Sequence, residues 1–338
     1  MAATDDRIRV GIFGSGGWAR RTHIPNLHKL DVDIVALCDV SEEAAKQAAD
    51  EFSIPACYAD GYEMIATERL DALYSCVPAY ARTGVEAAAA RSGIHLFSEK
   101  PQSTSMAVAR EISAAVDAGG VLSTVCFRER YRPLFQQAKQ RLADKRIVHA
   151  RFQSFGGLST SREPGWRQQT GWSHWMEKAG GRAFDWGVHA VDYLRFMTGL
   201  DVTTAQAFYH TPDVYLQPLS CSFNILFTNG ATATLGFVSA GPVPPAEPWF
   251  TIFYEGGYLA IFGYERIEEN GAVVYEAAQF DPWFEQDRVF VEAVRSGDGS
   301  ALLNDYADGL LSLAPVLAGW SSSARGGQPV DVPAFIRG

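Results

Sequence analysis

The sequence predicts two joined folds. Residues 1–126 read as a doubly wound parallel α/β sheet, and residues 127–338 as an α+β domain whose open antiparallel sheet is covered by helices on one face. Three observations carry this. A chain of 338 residues exceeds one ordinary core at roughly 150 residues per domain. Its first third alternates short apolar runs with helix-like segments, and parallel neighbours need such crossover connections. Beyond Cys126 the rhythm changes to longer strand-like runs divided by turn signals.

In the first domain, residues 8–13 form a β-branched run and 18–30 read as helix. Residues 34–38 are apolar again. Residues 41–52 are helical, with Ser41 as N-cap and Glu42 and Glu43 at the positive helix end. A strand over 73–77 precedes an Ala-rich helix, 83–91, ended by Gly93. A strand at 94–97, a helix at 103–118 ended by Gly119-Gly120, and a strand at 121–125 complete the pattern. In the second domain, 134–142 and 183–197 read as helices. Strands are predicted at 147–155, 202–209, 221–227, 231–238, 249–254 and 258–262, with turns such as Asn229-Gly230 and Gly256-Gly257 between them. Residues 304–323 read as the final helix, free to pack back on the first domain.

Composition bounds the partners. With 47% hydrophobic and 20% charged residues the chain is a folded one, not a disordered one. A net charge of −10 provides no field to draw a nucleic acid or an anionic membrane to the surface. The five cysteines form no CxxC pair and their odd number suits no complete disulfide scheme, so reduced thiols are expected. The histidines show no metal-ligand spacing, and no metal is expected. Residues 1–6 lack the basic-then-apolar shape of a signal peptide, and no apolar run is long enough to span a bilayer. Together these predict an unanchored cytoplasmic protein.

Three motifs could carry chemistry. Gly14-Ser15-Gly16-Gly17-Trp18-Ala19 fits G-x-G-x-x-A between a predicted strand and a predicted helix. Glycines there let backbone N–H groups approach a pyrophosphate at the positive helix end. On its own this is equally a ligand-free turn. Asp39, at the end of the second strand, shifts the balance, because a carboxylate there accepts from a ribose diol and repels a 2′-phosphate. The pair predicts NAD in preference to NADP. Glu99-Lys100-Pro101 follows a strand end, where open α/β sheets bind ligands, although a solvated pair before a helix accounts for it as well. Asp185, His189 and Asp192 share one helix face. A histidine beside a carboxylate can remove a hydroxyl proton, and a helix cap beside a core histidine has the same spacing.

Taken in chain order, the Gly-rich turn, Glu99-Lys100-Pro101, Arg130-Tyr131-x-Pro133, Trp166-Arg167 and the D-x-G-x-H-x-x-D run from Asp185 resemble the Gfo/Idh/MocA family, the relatives of glucose–fructose oxidoreductase and inositol dehydrogenase. The likeness covers nearly the whole chain. It implies a nicotinamide cofactor, oxidation or reduction of a sugar or cyclic polyol, and a homodimer or homotetramer formed through the second domain's sheet. It further implies that Lys100 contacts substrate oxygen, that His189 is the catalytic base with Asp185 as companion acid, and that Pro78 with Val77, and Glu99, stand beside the nicotinamide.

Departures from the family pattern bear on the substrate. Val77-Pro78-Ala79-Tyr80-Ala81-Arg82 replaces the usual TP-x-x-x-H, Ala179-Gly180-Gly181 replaces three glycines, and Arg128 stands where an uncharged polar residue is common. Arg128 and Arg167 are candidate substrate contacts, and an arginine in the pocket suits an acidic sugar, while Trp166 and Trp172, in a stretch rich in Gly, Gln and Ser, could stack on the C–H faces of a pyranose ring. The expected activity is hydride transfer between a sugar or polyol carbon and NAD, with Lys100 stabilising the alkoxide. A glycoside-cleaving enzyme working by transient ring oxidation and elimination would use the same residues. A non-enzymatic NAD-binding protein is the third reading.

Overall fold

The computed structural model describes residues 7–156, 182–212, 218–242, 244 and 247–338. The chain divides into two compact units. One holds the residues up to Tyr131 together with Asp281–Leu310; the other holds Arg132–Phe280 with Leu311–Gly338. The stretch 281–310, which lies within the span 127–338 assigned to the second domain from sequence, thus groups with the first unit.

Among the described residues the first unit has a six-stranded parallel sheet: β1 (Arg9–Phe13), β2 (Asp33–Cys38), β3 (Ala56–Tyr58), β4 (Ala72–Ser75), β5 (His95–Ser98) and β6 (Ser123–Val125). The order β3-β2-β1-β4-β5-β6 reverses direction between β1 and β4. Neighbouring strand ends diverge at such a switch, leaving a crevice at their carboxyl edge. Val10 and Ile12 of β1, Ile34 and Leu37 of β2, Tyr74 and Phe97 form the core. Phe290 and Val291 from helix Pro282–Ser296 complete it. Tyr74 and Phe97 stack at 4.4 Å, with Phe290 edge-on to both.

Local signals act as the sequence implies. Ser41 caps helix Glu42–Phe52, its hydroxyl accepting from Ala44 N at 3.2 Å. The helix after the Gly-rich turn opens with a wider i→i+5 turn over Ala19–His23 and continues as Ile24–His28. Strand β3 and the short helix Gly61–Thr67 were not expected.

Among the described residues the second unit is built on a nine-stranded sheet that includes β7 (Ile147–Gly156), β8 (Val202–His210), β9 (Ser220–Phe227), β10 (Thr232–Ser239), β11 (Phe250–Tyr254) and β12 (Gly257–Phe262). Two further strands, Arg266–Glu269 and Ala272–Glu276, extend one edge, and Val330–Asp331 pairs with β8 at the other. The predicted antiparallel sheet is mixed: β7 and β10 run parallel at its centre. Helices Pro133–Leu142 and Arg182–Thr198 lie on one face. The helix predicted at 304–323 is present as Tyr306–Ala324, and a short further helix, Val332–Arg337, follows it. Among the described residues no helix is long and apolar enough to cross a membrane.

Candidate active site

Gly14 leaves β1 with φ +102°, a backbone that L side chains rarely adopt. A Cβ there would also stand 2.9 Å from Val77 N, so the turn passes close over the end of β4. Gly16 is different: a Cβ added to it would meet no atom within 4 Å. The room at Gly16 is what a pyrophosphate seated on the helix N-terminus needs, and these residues fit a dinucleotide. Ala19 is fully buried, which allows helix and sheet to pack closely.

Asp39 lies beside this turn. Its Oδ2 accepts from Ser15 N at 2.9 Å and from Ser15 Oγ at 2.8 Å, and Oδ1 accepts from Ser41 N at 3.0 Å. Three donors on an ionised carboxylate leave acceptor capacity on Oδ1 for a ribose hydroxyl. Val40 next to it is almost fully exposed and uncharged.

Glu99 is the hub of the first unit's site. Its Oε1 accepts from Trp18 Nε1 at 2.7 Å and faces His23 Nε2 at 2.9 Å, and its Oε2 accepts from Lys100 N at 2.9 Å. Burial would raise the Glu99 carboxyl, but the hydrogen bond and charge of His23, with Lys100, hold it down at about 2. Arg82 pairs with buried Glu86 at 2.9 Å and donates to the Glu99 carbonyl. The Lys100–Pro101 peptide is cis. The chain therefore brings together the Gly-rich turn, Asp39, Val77, Glu99 and Lys100, with Pro78 following Val77.

His23 and Asp287 are the residues that sequence reasoning missed. The His23 ring is fully buried, with Nδ1 2.9 Å from Asp287 Oδ1. Asn26 Nδ2 donates to Asp287 Oδ2 at 2.9 Å. Burial opposes a charge on His23, yet the charge and hydrogen bond of Asp287, with Cys126 and Glu99, raise the imidazole well above its ordinary range. His23, Glu99 and Cys126 have ligand-type atoms within 4.8 Å of one another. Both imidazole nitrogens are turned to carboxylates, however, and burial pushes the Cys126 thiol up to about 12, so this is a hydrogen-bonded cluster. Position 23 lies within a turn and a half of Ala19, and that proximity was the available signal. Asp287 gave none.

Arg128 is buried, with its guanidinium 4.3 Å over the Trp283 ring and 3.3 Å from Glu129. Trp283 in turn leans on Trp18, ring centroids 6.1 Å apart. The Arg128 charge is thus already opposed by a carboxylate. Trp166, Arg167 and Trp172 lie outside the described residues.

In the second unit, helix Arg182–Thr198 carries Asp185 and His189. The His189 ring is 3% exposed and lies between Trp186 at 5.8 Å and Tyr193 at 5.6 Å. Asp192, which shares the predicted face, has a structural setting. It is buried and accepts from Ser312 Oγ at 3.0 Å, and Ser312 also takes a 2.8 Å bond from Arg195.

Comparisons with known proteins agree with this geometry. Residues 8–127 match the family model of the oxidoreductase family with NAD-binding Rossmann fold, and residues 135–260 match the GFO/IDH/MocA C-terminal domain. An uncharacterized oxidoreductase of Bacillus subtilis, YrbE, is 27% identical over 202 residues, 60% of this chain and 57% of its own. D-apiose dehydrogenase of Paraburkholderia graminis is 28% identical over 205 residues, 60% of this chain and 53% of its own. The chain therefore spans little more than half the length of these curated relatives. An Agrobacterium radiobacter oxidoreductase, solved with NAD+, L-tartaric acid and magnesium, has the same fold. Its TM-score is 0.80 at 20% identity, over 97% of this chain and 99% of that one.

Proposed function

The chain belongs to the GFO/IDH/MocA oxidoreductase family, and from that premise we propose that it is an NAD-dependent dehydrogenase of a sugar or cyclic polyol. One observation carries the reading: a single unit gathers an open Gly16, a carboxylate at Asp39 and the Glu99-Lys100 pair at its strand ends. Held by these residues, NAD would supply the hydride acceptor for the hydroxyl-bearing carbon. His189 takes the hydroxyl proton, Asp185 orients or charges the imidazole, and Lys100 stabilises the developing alkoxide electrostatically.

The test is a panel of sugars, cyclic polyols and glycosides with NAD, followed for NADH absorbance and for released aglycone. One NADH per product supports the dehydrogenase. Product formed without NADH accumulation replaces it with the elimination reaction. Tight NAD binding with no turnover on any compound leaves a non-enzymatic NAD-binding protein.

The cofactor preference rests on Asp39. A 2′-phosphate would meet its carboxylate, so NAD should bind at least about tenfold more tightly than NADP, an interaction of about 1.4 kcal/mol. Asp39→Ala should narrow that gap in a binding titration. Equal wild-type affinities would sink the assignment.

A further inference from the structure

The Glu99 carboxylate joins three parts of the first unit. They are the indole of Trp18 on the Gly-rich turn, the backbone of Lys100, and the buried imidazole of His23. His23 is itself held from behind by Asp287, which is fully buried and braced by Asn26. We propose that Asp287, His23 and Glu99 form a charge clamp that positions Trp18 and Lys100, which makes His23 and Asp287 positioning residues. The inference rests on the dehydrogenase reading for its purpose, though not for its geometry.

Proton counting supports it. A neutral imidazole has one N–H and could serve only one of the two carboxylates, leaving a lone pair against the other. With both carboxylates ionised, only the imidazolium satisfies both contacts, at 2.9 Å each. The ring has little freedom to choose otherwise. Phe97 meets it edge-on at 5.0 Å and Tyr74 lies at 5.7 Å. The titratable groups around it are Asp287, Glu99, Cys126, Cys76 and Tyr74, and the Arg82, Arg128 and Lys100 charges act on that cluster. Burial holds both thiols and the phenol in their neutral forms at ordinary pH. The carboxylates are thus the groups that answer the imidazolium.

The sign of the pH dependence follows. An unfolded histidine loses its proton near about 6.5, whereas the folded His23 keeps it to higher pH. The clamp's contribution to stability is therefore complete below about 6.5 and is lost as pH rises through the raised value. Glu99 acts at the other end. Its contribution is complete above about 4.3 and is lost as pH falls towards its depressed value of about 2.

The experiment uses the full chain. Nitrogen-15 NMR of the histidines, with His23→Gln identifying the signal, should show both His23 nitrogens still protonated at a pH where the other histidines have become neutral. A His23 that becomes neutral near its ordinary value would overturn the clamp. Positioning is read on Lys100 by competitive acylation and mass spectrometry. His23→Gln and Asp287→Asn should change Lys100 labelling at least about threefold relative to the other lysines. Trp18→Phe tests the same hub at a 40% exposed position, where folding is not at stake, and should also shift Lys100. Unchanged Lys100 labelling in the folded variants would overturn the positioning role. If a substrate is found, kcat should fall and the sugar KM rise while NAD affinity holds. The spectrum and the labelling need no turnover, so an inactive sugar panel would sink the dehydrogenase reading and leave the clamp to be judged on its own.

Discussion

His189→Ala should lower kcat by about 10²-fold or more while leaving NAD affinity close to wild type. The argument starts from the helix. His189 and Asp185 stand four residues apart on Arg182–Thr198, so a carboxylate and an imidazole are presented from one rigid element. Trp186 and Tyr193 flank the imidazole and limit its orientations. On the proposed reading a base fixed in this way acts in the proton-transfer step and not in cofactor binding, which would draw on Gly16 and Asp39. The wild-type rate should rise with pH as the base gives up its proton, and that limb should be missing in the variant. Asp185→Asn should be severe if the carboxylate orients the ring and mild if it only serves the helix terminus. Full activity of His189→Ala with an unchanged pH profile would transfer the base to another group, Lys100 first.

Two glycines two residues apart should both weaken NAD binding when changed to alanine, but only one of them should cost stability. Gly14→Ala places a methyl 2.9 Å from Val77 N and 3.0 Å from the Cys76 carbonyl carbon, on a backbone with φ +102°. Strain of this kind costs about 1–3 kcal/mol before the backbone clash is counted. The variant should melt several degrees lower and lose NAD. Gly16→Ala meets nothing within 4 Å and has no positive φ, so its melting point should stay within about 1 °C of wild type. It should nevertheless bind NAD at least about tenfold more weakly, because the methyl occupies the space that the pyrophosphate needs. Calorimetry and an NAD titration on both variants decide the matter. A Gly16→Ala protein that binds NAD normally would refute the cradle.

The parts of the site that could be read from sequence are those with local causes. The Gly-rich turn, the Ser41 cap and the Glu99-Lys100 strand end announce themselves within a few residues, and the structure places them where the spacing implies. The parallel pairing of β7 with β10 has no such signature, because the alternation of Ala233, Leu235 and Phe237 inward looks the same whichever way the neighbouring strand runs. Arg266–Glu269 passed unnoticed because three of its four residues are charged, and its pairing with β12 supplies what its composition does not. Asp192 is legible from sequence only as a neighbour of His189 on one helix face; its bond from Ser312, 120 positions away, has no local signal.

The bond between His23 and Asp287 spans 264 positions. Synthesis therefore delivers the two ends of that contact far apart in time, and the first unit receives Phe290 and Val291 for its core only with the late-arriving helix Pro282–Ser296. Loop closure over such a separation carries an entropic cost that shorter contacts in the same sheet escape. A fragment cut at Tyr131 would keep the dinucleotide turn but expose the site from which that helix is missing. For the nucleotide-binding half to be excised as an autonomous module, the cut piece must carry residues 281–310 with it, or else be permuted so that they come first.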